Sequence, residues 1–416
     1  MNFRKNGDKY LITIEVIALI VVLIFGAVHF VIPDRSRKDN TIYTGSEINT
    51  DSEQSTDTAV PDDNGDDVVA AAFTPSDSVK AKLESMTTEE KVAQMFITRP
   101  EEITGVAQFT QAGKKTKEAL TTYPLGGFVF RQENFFGEAA VSQMMSNLQS
   151  YAQERNGVNM FLAIDEEGGD KSPLANGNAY TVEPLPSEMG GADAAGSSAS
   201  KIASYMTTNG LNMNMSPTAD IAYGDNADYD KYTFGSDSTT VADSVAAQIS
   251  SYNGDGIFSV AGCFPGKGKA VADATTGMLW MTDTLADLET SDFVPYKRAI
   301  DSGVSAIMMG NVLCQSVTGE ETTPCSLSSN AVNYVRSTMG FSGILITDDL
   351  SDTSLNSVYT QDEAVVAAVK AGMSMIYVST GFEGSYNAVV EAANNGEISA
   401  EQLDDAVGRI LTAKGI

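Results

Sequence analysis

The feature that most constrains the fold of this chain is a series of eight short apolar runs that do not alternate with polar residues. Stretches with helical spacing, such as residues 139–154 and 362–371, lie between them. Such strands are buried on both faces, as in parallel sheets that helices cover. The pattern predicts an α/β protein, either a closed (β/α)8 barrel or a doubly wound sheet. The predicted strands are residues 95–98, 126–130, 161–165, 211–217, 256–264, 304–312, 343–349 and 374–380.

Polar residues near the ends of five of these runs favour the barrel. They are Asp165, Asp220, Cys263, Asn311 and Asp348. The carboxyl ends of barrel strands meet at one rim, where barrel enzymes carry out their chemistry. We therefore expect a TIM-like (β/α)8 barrel with a site at this rim.

The barrel body is expected to begin near Thr74 with helical spacing. Asp77 and Ser78 are both suitable N-caps for the first helix. Thr87 and Glu90 have the spacing of a capping box for the next one.

A membrane segment is predicted ahead of this body. Residues 11–32 are mostly apolar and long enough to cross a bilayer. A cleaved signal peptide is the alternative, but no small-residue cleavage site follows the run. Basic residues flank both ends, so the positive-inside rule is nearly balanced. We expect a single-pass anchor in the cell membrane, with residues 1–10 as a short cytoplasmic tail and the body extracytoplasmic.

Residues 33–75 are predicted to be a disordered acidic linker, and residues 76–416 the barrel. From 39 to 67 the chain has many acidic and small polar residues and no Lys or Arg. Such a segment buries too little apolar surface to offset the entropy of ordering. We expect a solvated tether.

Charge and histidine usage exclude several function classes. The formal net charge is −29, which disfavours nucleic acid as a partner. The single histidine is His29, inside the predicted anchor. The body therefore has no Ser-His-Asp triad, histidine zinc site or imidazole acid/base group. The three cysteines form no disulfide framework, and whether Cys314 and Cys325 pair stays open.

The loop after the fifth predicted strand, within residues 259–277, is rich in glycine and lysine and invites a phosphate-binding interpretation. A P-loop needs four residues between its glycines and a hydroxyl residue after the lysine. Here three residues separate Gly262 from Gly266, and Gly268 follows Lys267. The Rossmann pattern also fails, because the loop opens no obvious helix.

Five ordered motifs instead resemble the amino-terminal barrel of glycoside hydrolase family 3. The resemblance covers roughly residues 76–416 and is nearest to the single-domain β-N-acetylhexosaminidases that trim N-acetylglucosamine from peptidoglycan fragments. It implies a retaining hydrolase of β-linked N-acetylglucosamine in cell-wall glycans, with no metal and no cofactor. The motifs are FLAIDEEGGDKSPL, MNMSPTADI, TFGSD, CFPGKG and GILITDDLSDTSLN.

The resemblance assigns roles to two aspartates. Asp348, in ITDDL, matches the carboxylate nucleophile, which attacks the anomeric carbon and leaves a covalent ester. Its other interpretation is a helix cap or loop-orienting acceptor. Asp165, in DEEGGD, matches the aspartate that holds sugar hydroxyls.

Other positions depart from the family pattern. Asp170 and Tyr232 stand where the family has arginines, and Gly262, Cys263 and Lys267 replace a lysine and two histidines. Asp273 remains from the acid/base dyad, but Thr275 replaces its histidine. A threonine hydroxyl is too weakly acidic to donate a proton near neutral pH.

Two functions therefore remain open. The chain is either a glycoside hydrolase or a catalytically silent barrel that binds glycan or protein at the cell surface. In the first case Asp273, Glu166, Glu167 or Lys267 are candidates to replace the missing acid. Trp280 either stacks on a sugar or packs in an apolar cap. The sequence does not indicate the oligomeric state.

Overall fold

The computed structural model describes residues 73–224 and 227–416. Its centre is an eight-stranded parallel sheet whose strands are in the predicted chain order. Most are buried along their length, which explains their unbroken apolar sequence. The strands are β1 (Phe96–Thr98), β2 (Gly127–Val129), β3 (Phe161–Ile164), β4 (Met213–Asn214), β5 (Phe258–Phe264), β8 (Ala306–Met309), β10 (Ile344–Thr347) and β11 (Ile376–Val378). Around the sheet their order is β10-β8-β5-β4-β3-β2-β1-β11.

A single parallel bridge between Ile346 and Met375 joins the two ends of this sheet. The barrel is thus nearly closed, and the TIM-like α/β prediction is confirmed at this level. The register between β5 and β8 shifts between Ala261 and Phe264. Such irregularities re-aim side chains near sites, and this one lies beside Cys263.

A second, three-stranded sheet was not predicted. It consists of β6 (Val271–Ala272), β7 (Leu279–Met281) and β9 (Val312–Cys314), and we call it the side sheet. Strands β6 and β7 form an antiparallel hairpin, whereas β7 and β9 are parallel.

Helices connect the barrel strands. The longer ones, Glu138–Asn156, Ala192–Thr208 and Ser238–Gly254, each bury an apolar stripe. The other α-helices are Asp77–Ser85, Thr88–Met95, Pro100–Thr104, Lys114–Thr122, Pro173–Asn178, Ala227–Asp230, Leu285–Thr290, Phe293–Asp301, Gln315–Thr318, Ser329–Asn333, Gln361–Ala371, Phe382–Asn394 and Ala400–Ala413.

The first two helices test the predicted caps. The capping box is confirmed, because Thr87 Oγ1 accepts the Glu90 N–H at 3.3 Å and Glu90 Oε2 accepts the Thr87 N–H at 3.1 Å. The predicted cap at Asp77 or Ser78 is wrong. Ser76 is the N-cap, and its Oγ accepts the Val79 N–H at 3.2 Å.

The amino-terminal ends of the strands form the barrel floor. There Lys414, from the last helical turn, donates to Gln94 Oε1 at 3.0 Å and to the Gly126 carbonyl at 2.9 Å. Its Nζ lies 4.9 Å from the centre of the Phe161 ring. Burial lowers the pKa of Lys414 to about 7.

The predicted tail (1–10), the predicted anchor (11–32) and residues 33–72 of the predicted linker lie outside the described residues. Among the residues that are described, no helix combines the length and apolar character needed to span a bilayer. Cys314 and Cys325 are buried free thiols, as is Cys263.

Candidate active site

A cavity of about 200 Å³ opens at the carboxyl ends of the barrel strands, and we call it the mouth cavity. It contains two of the predicted site residues, Asp165 and Asp348. Asp165 follows β3 and Asp348 follows β10. Three strands separate β3 from β10 in either direction around the barrel, so the two aspartates face each other across the mouth.

Asp348 is held in an ion pair that the sequence analysis did not foresee. Its Oδ2 accepts from Lys267 Nζ at 2.7 Å, and its Oδ1 accepts the Asp349 N–H at 3.0 Å. Only 20% of its side chain is exposed. Burial alone would raise the pKa of Asp348, but Lys267 outweighs it and the pKa falls below its ordinary value. Asp348 is therefore a carboxylate at neutral pH.

The loop that carries Lys267 is fixed by Asp220. This buried aspartate accepts the backbone N–H of Lys267 at 3.1 Å and the hydroxyl of Tyr296 at 2.7 Å. Tyr229 also donates to it. Burial raises the pKa of Asp220 to about 6, against the effect of the tyrosine hydrogen bonds. Gly268 is required here, because a Cβ would lie 1.9 Å from the Ile221 carbonyl oxygen.

On the opposite side of the mouth, Lys171 supplies a positive charge. Its Nζ donates to Glu167 Oε1 at 2.7 Å and lies 3.6 Å from Asp165 Oδ2. It also lies 4.1 Å from the centre of the Tyr232 ring. Glu167 is buried and accepts the Thr218 hydroxyl at 2.6 Å.

Asp165 is the least satisfied acid in the mouth cavity. Its Oδ1 is buried and has no hydrogen-bond partner, although 43% of the side chain is exposed. Burial raises the pKa of Asp165 to about 7; nearby Lys171 opposes the shift and Glu167 adds to it. Because Oδ1 itself is buried, the exposed part of this carboxyl group is what a ligand hydroxyl in the cavity can reach.

Asp170 has the opposite charge to the arginine that the family has at this position, but it does not line the mouth cavity. Asp170 points outward, where it accepts from Lys231 Nζ at 2.8 Å and from the Tyr232 hydroxyl at 2.7 Å. These hydrogen bonds lower the pKa of Asp170 to about 2. Lys171, one residue later, places the cation that the family's arginine would supply. The position of Lys171 two residues after Gly169 is the sequence signal from which a cation at the mouth could have been predicted.

Glu166 cannot replace the missing acid, which corrects one of the candidates. Its carboxylate accepts the N–H groups of Leu174 and Ala175, at 2.8 and 3.1 Å, and the Tyr205 hydroxyl at 2.9 Å. Burial raises the pKa of Glu166 to about 7, against these hydrogen bonds. The side chain is fully buried beneath the mouth and holds the helix Pro173–Asn178 in place.

Asp273 does not line the mouth cavity. It lies in the turn between β6 and β7, where its Oδ1 accepts the N–H groups of Thr275 and Thr276 at 3.0 and 2.8 Å. Hydrogen bonds from Thr276 and Thr275 lower the pKa of Asp273. It lines a separate cavity beside Trp280. The structure thus brings Asp165, Asp348, Glu167 and Lys267 together and places Asp273 elsewhere.

The comparisons agree with the predicted fold and family. Residues 87–413 match the glycosyl hydrolase family 3 N-terminal domain. A β-N-acetylglucosaminidase/β-glucosidase of Cellulomonas fimi is 26% identical over 84% of this chain and 62% of its own length. The β-hexosaminidase LpqI of Mycobacterium tuberculosis is 29% identical over 50% of this chain and 55% of its own. This chain thus spans less than two thirds of either relative.

A solved structure of a family 3 β-N-acetylglucosaminidase from a Paenibacillus species superposes with a TM-score of 0.73 at 28% identity. The superposition covers 79% of this chain and 62% of that one. The matched family domain spans most of the barrel, including Asp165, Lys267 and Asp348. The chain belongs to glycosyl hydrolase family 3.

Proposed function

We propose that this protein is a membrane-anchored, extracytoplasmic glycoside hydrolase of the β-N-acetylhexosaminidase type that removes terminal β-linked N-acetylglucosamine from cell-wall glycans. Asp348 is the nucleophile and Asp165 binds the sugar. The observation that carries the proposal is the ionised Asp348, which lines the same cavity as the partly exposed carboxyl group of Asp165. The names of the Cellulomonas and Paenibacillus relatives support the sugar class.

In the first step, a carboxylate oxygen of Asp348 bonds to the anomeric carbon while the bond from that carbon to the leaving oxygen breaks. Lys267 keeps Asp348 ionised, and its contact must loosen as the attacking oxygen gives up its charge. Asp165 accepts a hydroxyl hydrogen of the same sugar, which orients the ring. The product is a glycosyl ester on Asp348.

In the second step, water attacks the anomeric carbon and loses a proton to solvent while the ester bond to Asp348 breaks, which regenerates the carboxylate and retains the anomeric configuration. The leaving oxygen of the first step departs as an anion and takes up a proton from solvent. Both steps benefit from a general acid/base, typically worth about 10² to 10⁴ in rate. Thr275 cannot serve and Asp273 lies outside the mouth cavity. The two other candidates in the cavity are engaged in ion pairs, Glu167 with Lys171 and Lys267 with Asp348. We therefore expect slow turnover, limited by departure of the leaving group.

A second function is favoured by the same ion pair. Lys267 occupies Asp348 at 2.7 Å in a cavity of only about 200 Å³. A barrel that keeps this contact closed would bind glycan or protein at the cell surface without cleaving it. The two functions differ in whether any substrate is turned over through Asp348.

Leaving-group dependence separates them. The full-length chain would be assayed with 2,4-dinitrophenyl, 4-nitrophenyl and phenyl β-N-acetylglucosaminides. Since a dinitrophenolate departs without a proton, we expect it to be cleaved at least ~10²-fold faster than the phenyl glycoside. Similar rates on all three would show that a proton donor is present. Absence of turnover on all three would support the silent barrel.

Two variants control this assay. Asp348→Asn should reduce turnover of the dinitrophenyl glycoside by at least ~10³-fold, because the amide is a poor nucleophile. Asp352→Asn is the matched control, since Asp352 is an exposed aspartate of the same loop and only accepts from Ser354. Equal activity in both variants would exclude Asp348 as the nucleophile.

A further inference from the structure

A cavity of about 480 Å³ with no assigned role lies next to the side sheet, and we call it the side cavity. Its volume lies within the ~300 to 1,000 Å³ typical of ligand sites. Trp280, on β7, lines it with 41% of its surface exposed, whereas most large apolar residues of the described chain are buried. Trp280 therefore does not pack inside an apolar cap, and its ring is available to a ligand.

Two chain segments connect the lining of the mouth cavity to that of the side cavity. The loop after β5 carries Lys267 at the mouth and then forms the hairpin that bears Asp273 and Trp280. The loop after β10 carries Asp348 at the mouth and then reaches Val358, which lines the side cavity. The Ser357 hydroxyl, in that second loop, donates to the Thr276 carbonyl at 3.2 Å. The two cavities thus share two of the loops that line them.

The lining chemistry points to a neutral, hydroxyl-rich ligand. Around Trp280 lie apolar side chains such as Met278 and Leu313, and two carboxylates, Asp273 and Glu321. No lysine or arginine is among the described lining residues. All the turn hydrogen bonds to the Asp273 carboxylate end on Oδ1, so Oδ2 faces no competing donor of that turn.

An anionic ligand would face two carboxylates and a chain of net charge −29. A pyranose ring fits better, because its C–H face packs on an indole ring and its hydroxyls donate to carboxylates. We propose that the side cavity binds a sugar unit of a neutral N-acetylglucosamine oligosaccharide, with Trp280 as the stacking platform. The proposal rests on the proposed function for its glycan class but not for turnover.

Trp280 is the only tryptophan of the chain, so emission excited at 295 nm reports on this site alone. The full-length chain would be titrated with the β-1,4-linked tetramer of N-acetylglucosamine and with the monosaccharide. We expect a saturable change in emission with the tetramer and much weaker binding of the monosaccharide. An emission that the tetramer leaves unchanged at millimolar concentration would overturn the proposal. So would tighter binding of a lysine-rich peptide than of the tetramer.

Calorimetry with variants tests the stacking contact. Trp280→Ala should weaken tetramer binding roughly tenfold or more, and Trp280→Phe, which keeps an aromatic ring, should weaken it less. Val271→Ala is the matched control, because Val271 pairs with Trp280 across the hairpin and is exposed, but does not line the cavity. Circular dichroism confirms that each variant is folded. Equal binding by Trp280→Ala and Val271→Ala would contradict the proposal.

The Asp348→Asn variant separates this proposal from the proposed function. A saturable Trp280 response in that variant supports the side cavity whether or not the wild type turns over any glycoside. Turnover in the wild type without any Trp280 response would support the hydrolase and overturn the side cavity.

Discussion

The two ends of the barrel shift the pKa of a buried lysine in opposite directions. At the mouth, Lys267 lies 2.7 Å from Asp348, which raises the pKa of the lysine and lowers that of the aspartate. At the floor, the contacts of Lys414 among the described residues are an amide oxygen, a carbonyl and an aromatic ring, and burial lowers its pKa to about 7. The mouth keeps both groups charged, whereas the floor favours the neutral amine.

The largest effect is expected from removing the cation at the mouth. In Lys267→Met, burial acts unopposed on Asp348 and its pKa rises. Turnover of the dinitrophenyl glycoside at pH 6 should fall about tenfold or more and recover as the pH is raised. The measurement is kcat/KM between pH 4 and 9.

Lys269→Met is the control for this prediction. Lys269 is two residues away and forms ion pairs with Asp283 and Asp292 instead of Asp348. Its replacement should therefore leave the dependence of kcat/KM on pH at acidic pH as in the wild type. If both variants gave the wild-type profile, the ion pair would have no part in keeping Asp348 ionised.

The next effect concerns the buried carboxylate beneath the mouth. Glu166→Gln replaces an acceptor oxygen by a donor group facing the N–H groups of Leu174 and Ala175, at a cost of about 1–3 kcal/mol in the free energy of unfolding. Because the pKa of Glu166 is raised to about 7 in the folded state, its contribution to wild-type stability is lost as pH rises from about 4.5 to 7. In thermal unfolding, the difference in melting temperature between wild type and Glu166→Gln should become smaller over this pH range.

Glu188→Gln serves as the control, since Glu188 is exposed. A melting temperature of Glu166→Gln equal to that of the control would show that the buried hydrogen bonds of Glu166 contribute little.

A smaller effect, seen mainly as pH dependence, is expected at the floor. The folded-state pKa of Lys414 lies below its ordinary value, so the unfolded chain binds the proton more tightly and wild-type stability rises between pH 7 and 10. Lys414→Met should not show this rise in stability. Between pH 7 and 10, its melting temperature should therefore fall by roughly a few degrees compared with that of the wild type. Lys114→Met, at an exposed lysine, should follow the wild type. A parallel course of Lys414→Met and wild type would show that Lys414 stays charged in the fold.

The smallest effect is expected outside the mouth, at the exposed pair of Asp170 and Lys231. Asp170→Asn should leave the melting temperature at pH 7 unchanged within error, because water screens an exposed pair. The pKa of Asp170 is lowered from 3.8 to about 2 in the folded state. Any contribution of its charge to the free energy of unfolding is therefore present above pH 3.8 and is lost as the pH falls to about 2. A loss as large as that of Glu166→Gln would indicate that Asp170 orders the glycine turn.

The barrel was predictable from sequence because each strand is buried on both faces and therefore reads as an unbroken apolar run. The side sheet was not, because β6 is exposed and β7 is only partly buried, so neither strand is an unbroken buried apolar run. The Lys267–Asp348 pair joins residues 81 positions apart, and only the packing of two loops brings them together. The cation at Lys171 could have been predicted from the sequence, because Lys171 directly follows Asp170. The spacing of the family motif instead assigned the arginine position to Asp170.

The most direct test of the central claim is covalent trapping at Asp348. A fluorinated N-acetylglucosaminyl glycoside with a good leaving group slows release of the ester more than its formation, so the glycosyl-enzyme accumulates. Intact-mass analysis and peptide mapping should find one sugar on the peptide that contains Asp348, and none in Asp348→Asn. An adduct on another residue, or no adduct while the dinitrophenyl glycoside is still cleaved, would contradict Asp348 as the nucleophile.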